Sequence, residues 1–487
     1  MNLPPIKAQE RYYLFPNFPR LCLTNSFYQV GNNQHWSVGQ WSDDISIAQD
    51  VGIDGFALNI VFPFDGALQA TVQNAYKAAE ATGFKLFFSF DYLGGAPWPQ
   101  SSVVSVLNQY ASSGAQFKVD GKSFASTFEG TGNKGDWDSI KGSVSGGVYF
   151  VPDWSSLGAK PFAAESSVDG GFSWNCWPNG ASDMNDSDDV LWQSSLGSKS
   201  FMMGVSPWFY TNLASWGKKW VWRGDDLWHD RWQQVIKLQP QFVEIVTWND
   251  FGEGHYIGPI HDEGIPAGAE RYVKNFPHTA WLESLRYYIA AYKNGGSTTV
   301  NTEHVEYWYR PHSVSSGNPD GVVGNNPSFQ QTVPVTKVLQ DKVFVTAFLK
   351  SAADVAVYVG NNKIGESSFT SGGAQHFSAP FGSSTGAVKI VVSRGGQTVL
   401  SGEGLPIVAA PADGIANYNA WVGSVKGQDG GPPSVPTVPY TTLATRVSPA
   451  PTPAPTPTNT STPKPPTTTK YNRYVPRTRK RPGPAAR

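Results

Sequence analysis

The sequence predicts an α/β protein: a (β/α)8 barrel of the TIM type, then a small antiparallel β-sandwich and a disordered Thr/Pro-rich tail. Three observations carry this reading. Between residues 20 and 295, short apolar runs alternate with amphipathic stretches, the pattern of repeated βα units. Between 336 and 424 the period shifts to β-rich runs joined by turn residues. Beyond 430 the composition turns to Pro and Thr, which cannot bury enough surface to fold. A chain of 487 residues has room for about three such units.

The barrel elements follow in order. Strands are expected at SFYQV (26–30), GFALNI (55–60), KLFFSF (85–90), SFASTF (123–128), GVYFV (147–151), GFSW (171–174), FMMGV (201–205) and FVEIVTW (242–248). Helices are expected between them. In 66–82 apolar residues recur at helical spacing and Gly83 supplies the stop. The stretch 41–52 reads the same way, with Asp43 or Asp44 as its cap, and Pro240 ends a helix over 225–240. A catalytic barrel over 20–295 is therefore expected. A β-sandwich accessory domain over 296–430 follows, with hairpins at GNNKIG and RGGQTV. Residues 431–470, with 12 Pro and 12 Thr, form an expected linker resembling an O-glycosylated stalk, and 471–487 a basic disordered tail.

The net charge of −1 is the sum of two unlike parts. Residues 431–487 hold nine Lys and Arg and no acid, which leaves 28 basic against 38 acidic residues in 1–430. An acidic body argues against nucleic acid as a partner. No apolar run reaches the ~20 residues of a membrane span. Cys22 and Cys176 can form one bridge or remain two thiols, and no ligand spacing suggests a metal or cofactor. The first twenty residues contain no apolar core like that of a secretory signal. The sequons at Asn185 and Asn459, with the Thr/Pro-rich tail, point instead to a secreted or wall-associated monomer.

Barrel enzymes carry their chemistry at the C-terminal ends of the strands. There the chain places Asp91, Glu129, Asp153 and, after the last strand, Asn249-Asp250-Phe251-Gly252-Glu253. Each acid alone also fits a helix cap or a loop salt bridge. Together, Asp250 and Glu253 can bring two carboxylates to one cleft, as glycoside hydrolysis requires. The Asp-Phe-Gly string lacks the other parts of a kinase. Sixteen of the 18 tryptophans lie between Trp36 and Trp281. Trp174, Trp208 and Trp222 stand on expected loops or strand ends, where an indole can stack on a sugar face or close the core. Asp225, Asp226 and His255 are candidates for binding sugar hydroxyls.

Several strings then carry a family likeness: DISIAQDVGIDGFALNI (44–60), KLFFSFDY (85–92), STFEG (126–130), MGVSPWFYTNL (203–213), WVWRGDDLWHDRWQQ (220–234) and VEIVTWNDFGEGHYIGP (243–259). On these the chain resembles the fungal α-1,3-glucanases, or mutanases, of glycoside hydrolase family 71. The resemblance implies a (β/α)8 barrel with a C-terminal β-sandwich. It also implies inverting endo-hydrolysis of α-1,3-glucan, with Asp250 and Glu253 as the catalytic pair. Glu253 is assigned as general acid and Asp250 as base, and the reverse order is open. Asp91 and Glu129 are expected to bind the sugar at the cleavage point or to orient water. Asp153, Trp248, Asn249 and Tyr256 complete the expected substrate-binding set. The chain departs from the family at its first strand, SFYQVGN, where only Val30-Gly31-Asn32 are retained, and at Gly254, where Ser is common. The other readings are a hydrolase of a different polysaccharide and a glucan-binding wall protein without activity.

Overall fold

Near-continuous apolar runs become the strands of one curled, mainly parallel sheet, because both faces of such a sheet are covered. The strands are β1 (Leu23–Gln29), β2 (Gly55–Val61), β3 (Lys85–Asp91), β4 (Lys122–Phe128), β5 (Val148–Phe150), β6 (Gly170–Ser173), β7 (Ser200–Val205) and β8 (Phe242–Ile245). Their spatial order is β5-β4-β3-β2-β1-β8-β7-β6, and every neighbouring pair is parallel. Asp153 makes parallel bridges to Phe128 of β4 and Phe172 of β6, so the two edge regions approach each other there. The computed structural model describes residues 23–427. Cys22, Asn459, the expected linker and the expected basic tail lie outside the described residues.

Side-chain alternation along the strands divides two cores. In β3, Phe87 points into a core inside the curl with Ala57, Phe124, Met202 and Phe242. Its neighbours Leu86, Phe88 and Phe90 point out to the helix layer. This period of two follows from the pleat. β1 pairs with β2 on one side and β8 on the other, so the atypical first strand sits fully inside the sheet.

The helix over Gly66–Thr82 ends at Gly83, whose φ of 76° lies in the left-handed region. The helix Val38–Asp50 corrects the expected cap. Ser37 and Gln40 form a capping box, whereas Asp44 is buried and accepts bonds from Tyr28, Trp248 and His261. The strand expected over 242–248 stops at Ile245, where the chain turns into the acid-bearing loop.

Two four-stranded antiparallel sheets follow. One orders Gly373–Pro380, Lys342–Leu349, His304–Tyr309 and Trp421–Lys426. The other orders Asn362–Phe369, Ala353–Val359, Gly386–Arg394 and Gln397–Ile407. Val305, Tyr307, Val343 and Val345 face the second sheet, while Trp308, Phe344 and Phe348 join the core of the helix layer. The first sheet is thus buried on both faces, between the second sheet and the helix Trp281–Lys293. Asp225 fixes this junction by accepting from Arg310 (3.3 Å) and the Gln340 N–H (3.2 Å).

Candidate active site

After β8 the chain makes a single 3-10 turn, Phe251–Glu253, closed by Gly254 at a φ of 70°. A Cβ at Gly254 would lie 3.0 Å from the Tyr210 carbonyl oxygen, so glycine suits both the turn and the close approach. The turn aims Asp250 and Glu253 the same way. One oxygen of each and a ring nitrogen of His255 lie within 4.8 Å of one another.

The two carboxyls meet different surroundings. Glu253 accepts from Lys218 Nζ at 2.5 Å and faces His255 Nε2 at 3.0 Å. Burial alone would raise Glu253, but the Lys218 charge and the His255 hydrogen bond outweigh it and hold the carboxyl down to about 2. Asp250 receives no side-chain hydrogen bond among the described residues, and burial and the Glu253 charge push it above the ordinary carboxylate range. The two carboxyls are therefore pushed in opposite directions: Asp250 holds its proton more tightly than an ordinary carboxyl, and Glu253 less tightly.

A chain of hydrogen bonds fixes the imidazole. Thr247 Oγ1 accepts the Asp250 N–H (3.0 Å), and its own proton is free for His255 Nδ1 (3.0 Å). This network assigns the His255 proton to Nε2, where it points at Glu253 Oε2. Trp177 and Phe209 wall the ring, each with its centroid 5.5 Å away.

Lys218, which sequence reasoning did not single out, joins this group through Glu253. It stands on the hairpin Tyr210–Leu213 and Lys218–Val221, 35 positions before Glu253. Its only sequence signal is a basic pair, Lys218-Lys219, within a Trp-rich and acidic stretch. Asp250 and Asp91 also feel its charge. Asp91 accepts the N–H groups of Leu93 (2.7 Å) and Gly94 (2.6 Å), and burial raises its carboxyl.

A second group lines the same strand ends. Asp153 is buried and accepts from the Ser155 hydroxyl at 2.5 Å, and that hydroxyl oxygen in turn accepts the Trp174 N–H. Burial and the charge of Glu129 raise Asp153 to about 8. Glu129 itself binds Ser156 through its backbone N–H and hydroxyl. The half-buried Trp174 packs edge-on against Trp177, linking this group to His255.

The other expected residues are placed elsewhere. Trp208, Trp248 and Tyr256 are fully buried and present no face to a ligand. Trp208 Nε1 donates to the Tyr418 carbonyl, Trp248 Nε1 to Asp44, and the Tyr256 hydroxyl to the Phe276 carbonyl. Trp222 stacks on Trp177 and is almost buried. Asn249 is a brace: its amide exchanges two bonds with the Gln29 backbone and one with Asn33, and Asn32 holds its carbonyl. Asp225 is locked between arginines at the sheet junction, and Asp226 pairs with His376 at 2.8 Å. Sequence cannot separate these from cleft residues, because an indole or an acid that closes a core looks the same as one that lines a site. Cys176 is a buried free thiol.

Residues 23–434 match the family model for glycosyl hydrolase family 71. The chain belongs to that family. It is 38% identical over 412 residues to a glucan endo-1,3-alpha-glucosidase of Schizosaccharomyces pombe, covering 81% of this chain and 92% of the relative. It is 34% identical over 410 residues to a mutanase of Penicillium rubens, covering 83% and 88%. An ascus wall endo-1,3-alpha-glucanase of Schizosaccharomyces pombe is 27% identical over 369 residues, covering 71% and 83%. The family 71 chain is thus a glycoside hydrolase in which the two acids of the 3-10 turn face one lysine.

Proposed function

We propose that this family 71 enzyme hydrolyses internal α-1,3-glucosidic bonds of α-1,3-glucan, with Asp250 as general acid and Glu253 as base. The carrying observation is the opposite protonation tendency of two carboxyls within 4.8 Å of each other. This is the second of the two orders that the sequence leaves open. Asp250 passes its proton to the leaving glycosidic oxygen as the C1–O bond breaks. Glu253 takes a proton from the water that forms the new bond to C1.

Inversion needs carboxyl groups about 6.5–9.5 Å apart, to leave room for that water. Here one oxygen of each carboxyl lies within 4.8 Å of the other. Among the described residues the Asp250 carboxyl has no side-chain hydrogen-bond partner and is held only by the Glu253 backbone N–H, whereas Glu253 is pinned by Lys218 and His255. The proposal is that Asp250 turns toward the sugar oxygen when glucan binds, while water stays against Glu253. Asp91, Glu129, Asp153, Trp174 and His255 are proposed as the polar and aromatic lining of the cleavage point.

The finer architecture is also a proposal: the curled sheet acts as a closed (β/α)8 barrel, supported by the bridges at Asp153. The two stacked sheets act as the accessory β-sandwich expected over 296–430. Buttressing supports a shared role: Asn419 donates to Tyr256 and to the Tyr272 carbonyl, behind the acid loop. The name of one relative, an ascus wall endo-1,3-alpha-glucanase, supports action on wall glucan.

The test is release of reducing ends from a panel of insoluble and soluble glucans, with NMR of the first anomer. Cleavage confined to α-1,3-linked glucan, with the β-anomer appearing first, is expected. An α-anomer would refute inversion. Near-normal turnover by both Asp250→Asn and Glu253→Gln would refute the pair.

A further inference from the structure

Among the described residues one tryptophan is exposed. Trp216 is 60% exposed, whereas the others are buried or half-buried. It lies in the single turn Ala214–Trp216 at the tip of the Lys218 hairpin, where Gly217 reverses the chain at a φ of 67°. The tip is open, but the hairpin is anchored. Trp220 and Trp222 pack with Phe209, Val323–Gly324 pairs alongside Lys218–Val221, and Lys219 binds Asp320. An indole is therefore presented to solvent on a supported element, where nothing in the fold requires a large apolar side chain.

Its position relates it to the acids. Lys218 Nζ lies 5.9 Å from the indole centroid and 2.5 Å from Glu253 Oε1. The ring therefore reaches within about 8 Å of the carboxylate, through a single side chain. Asp91, at the end of β3, also feels the Lys218 charge. A flat, exposed indole beside buried carboxyls matches the C–H face of a sugar flanking the bond to be broken. A single indole is far smaller than the surface a stable protein partner buries.

We infer that Trp216 is a stacking platform for a glucosyl unit adjacent to the cleavage point. This inference rests on the glucanase reading above. The Lys218 ammonium near the ring would couple occupancy of the platform to the Glu253 ion pair. The platform binds substrate and takes no proton.

The test uses the full chain carrying Asp250→Asn, titrated with soluble α-1,3-linked gluco-oligosaccharides by calorimetry and tryptophan fluorescence. Adding Trp216→Ala should weaken binding about tenfold and abolish most of the fluorescence change, while Trp216→Tyr should stay within about threefold. In the active chain, Trp216→Ala should raise KM more than it lowers kcat. Circular dichroism checks that each variant is folded. Unchanged oligosaccharide affinity in folded Trp216→Ala would overturn the inference, as would an effect confined to self-association of the chain. If the parent enzyme releases no reducing ends from α-1,3-glucan, the glucanase reading fails instead. If it does while Trp216→Ala binds normally, only the platform fails.

Discussion

Replacing Lys218 by Met should move the acid limb of the pH–rate profile. In the native site the Lys218 charge is the leading influence holding Glu253 down to about 2 against the effect of burial. An opposite charge at that range lowers a carboxylate by about 1–3 pH units. Taking two as the working value, the limb of kcat/KM should rise from near 2 to near 4. At pH 3 the ionised fraction of Glu253 would then fall from roughly nine-tenths to roughly one-tenth, a loss of about tenfold specific to acid conditions. Lys218 also lowers Asp250, so the alkaline limb should move up as well and the whole bell should shift. Stability follows with a definite sign. A carboxyl whose folded value lies below its unfolded value contributes stability above about pH 4, and that contribution fades as pH falls toward 2. Lys218→Met should lose this contribution, whereas Lys218→Arg should keep both limbs near their native positions. The assay is initial reducing-end release from α-1,3-glucan between pH 2.5 and 8, with circular dichroism confirming the fold at each pH. A profile lowered uniformly, with both limbs unmoved, would refute the electrostatic role of Lys218.

Further outcomes follow from other sites. Asp153 is held up to about 8, against about 3.9 when unfolded, so the folded chain keeps a proton that the unfolded chain loses. Stability should therefore fall as pH rises from 4 to 8, by up to about 5 kcal/mol from this group. Asp153→Asn should flatten the slope in urea titrations at pH 4.5 and 7.5, and parallel curves for the two proteins would exclude the effect. Thr247→Val removes the acceptor of the Asp250 N–H and the partner of His255 Nδ1. It should lower kcat about tenfold to a hundredfold and broaden the pH profile, with recovery in Thr247→Ser. Equal kinetics in Val and Ser variants would rule out the hydrogen-bond chain. Arg310 and Asp225 are both fully buried as an ion pair. Arg310→Met should cost about 3–5 kcal/mol in denaturant unfolding, and a loss under about 1 kcal/mol would show that Arg223 alone holds Asp225.

Much of the fold was legible because a sheet covered on both faces writes itself as apolar runs. GFALNI, KLFFSF and FMMGV each appear as strands within a residue of where they were read. Helix caps were harder to read. The acids at 43 and 44 suggested a start that the Ser37 box in fact supplies, because a cap depends on which backbone N–H groups end up unpaired. The run His304–Tyr309 lies within the span expected to be a β-sandwich. It is a central strand whose alternate residues serve two different cores.

By itself the sequence determined where the acids stand along the chain, that they follow strand ends, and which family the chain resembles. These are local properties: spacing, composition and motif. Tertiary structure decided what each side chain does. The protonation preferences of Asp250 and Glu253 depend on a lysine that arrives from a separate hairpin. The indoles at 208 and 248 turn inward to buried carbonyl and carboxyl partners, while Trp216 stays in solvent. Charge, burial and hydrogen bonding act through space over a few ångströms, and the chain brings those distances together only when it folds.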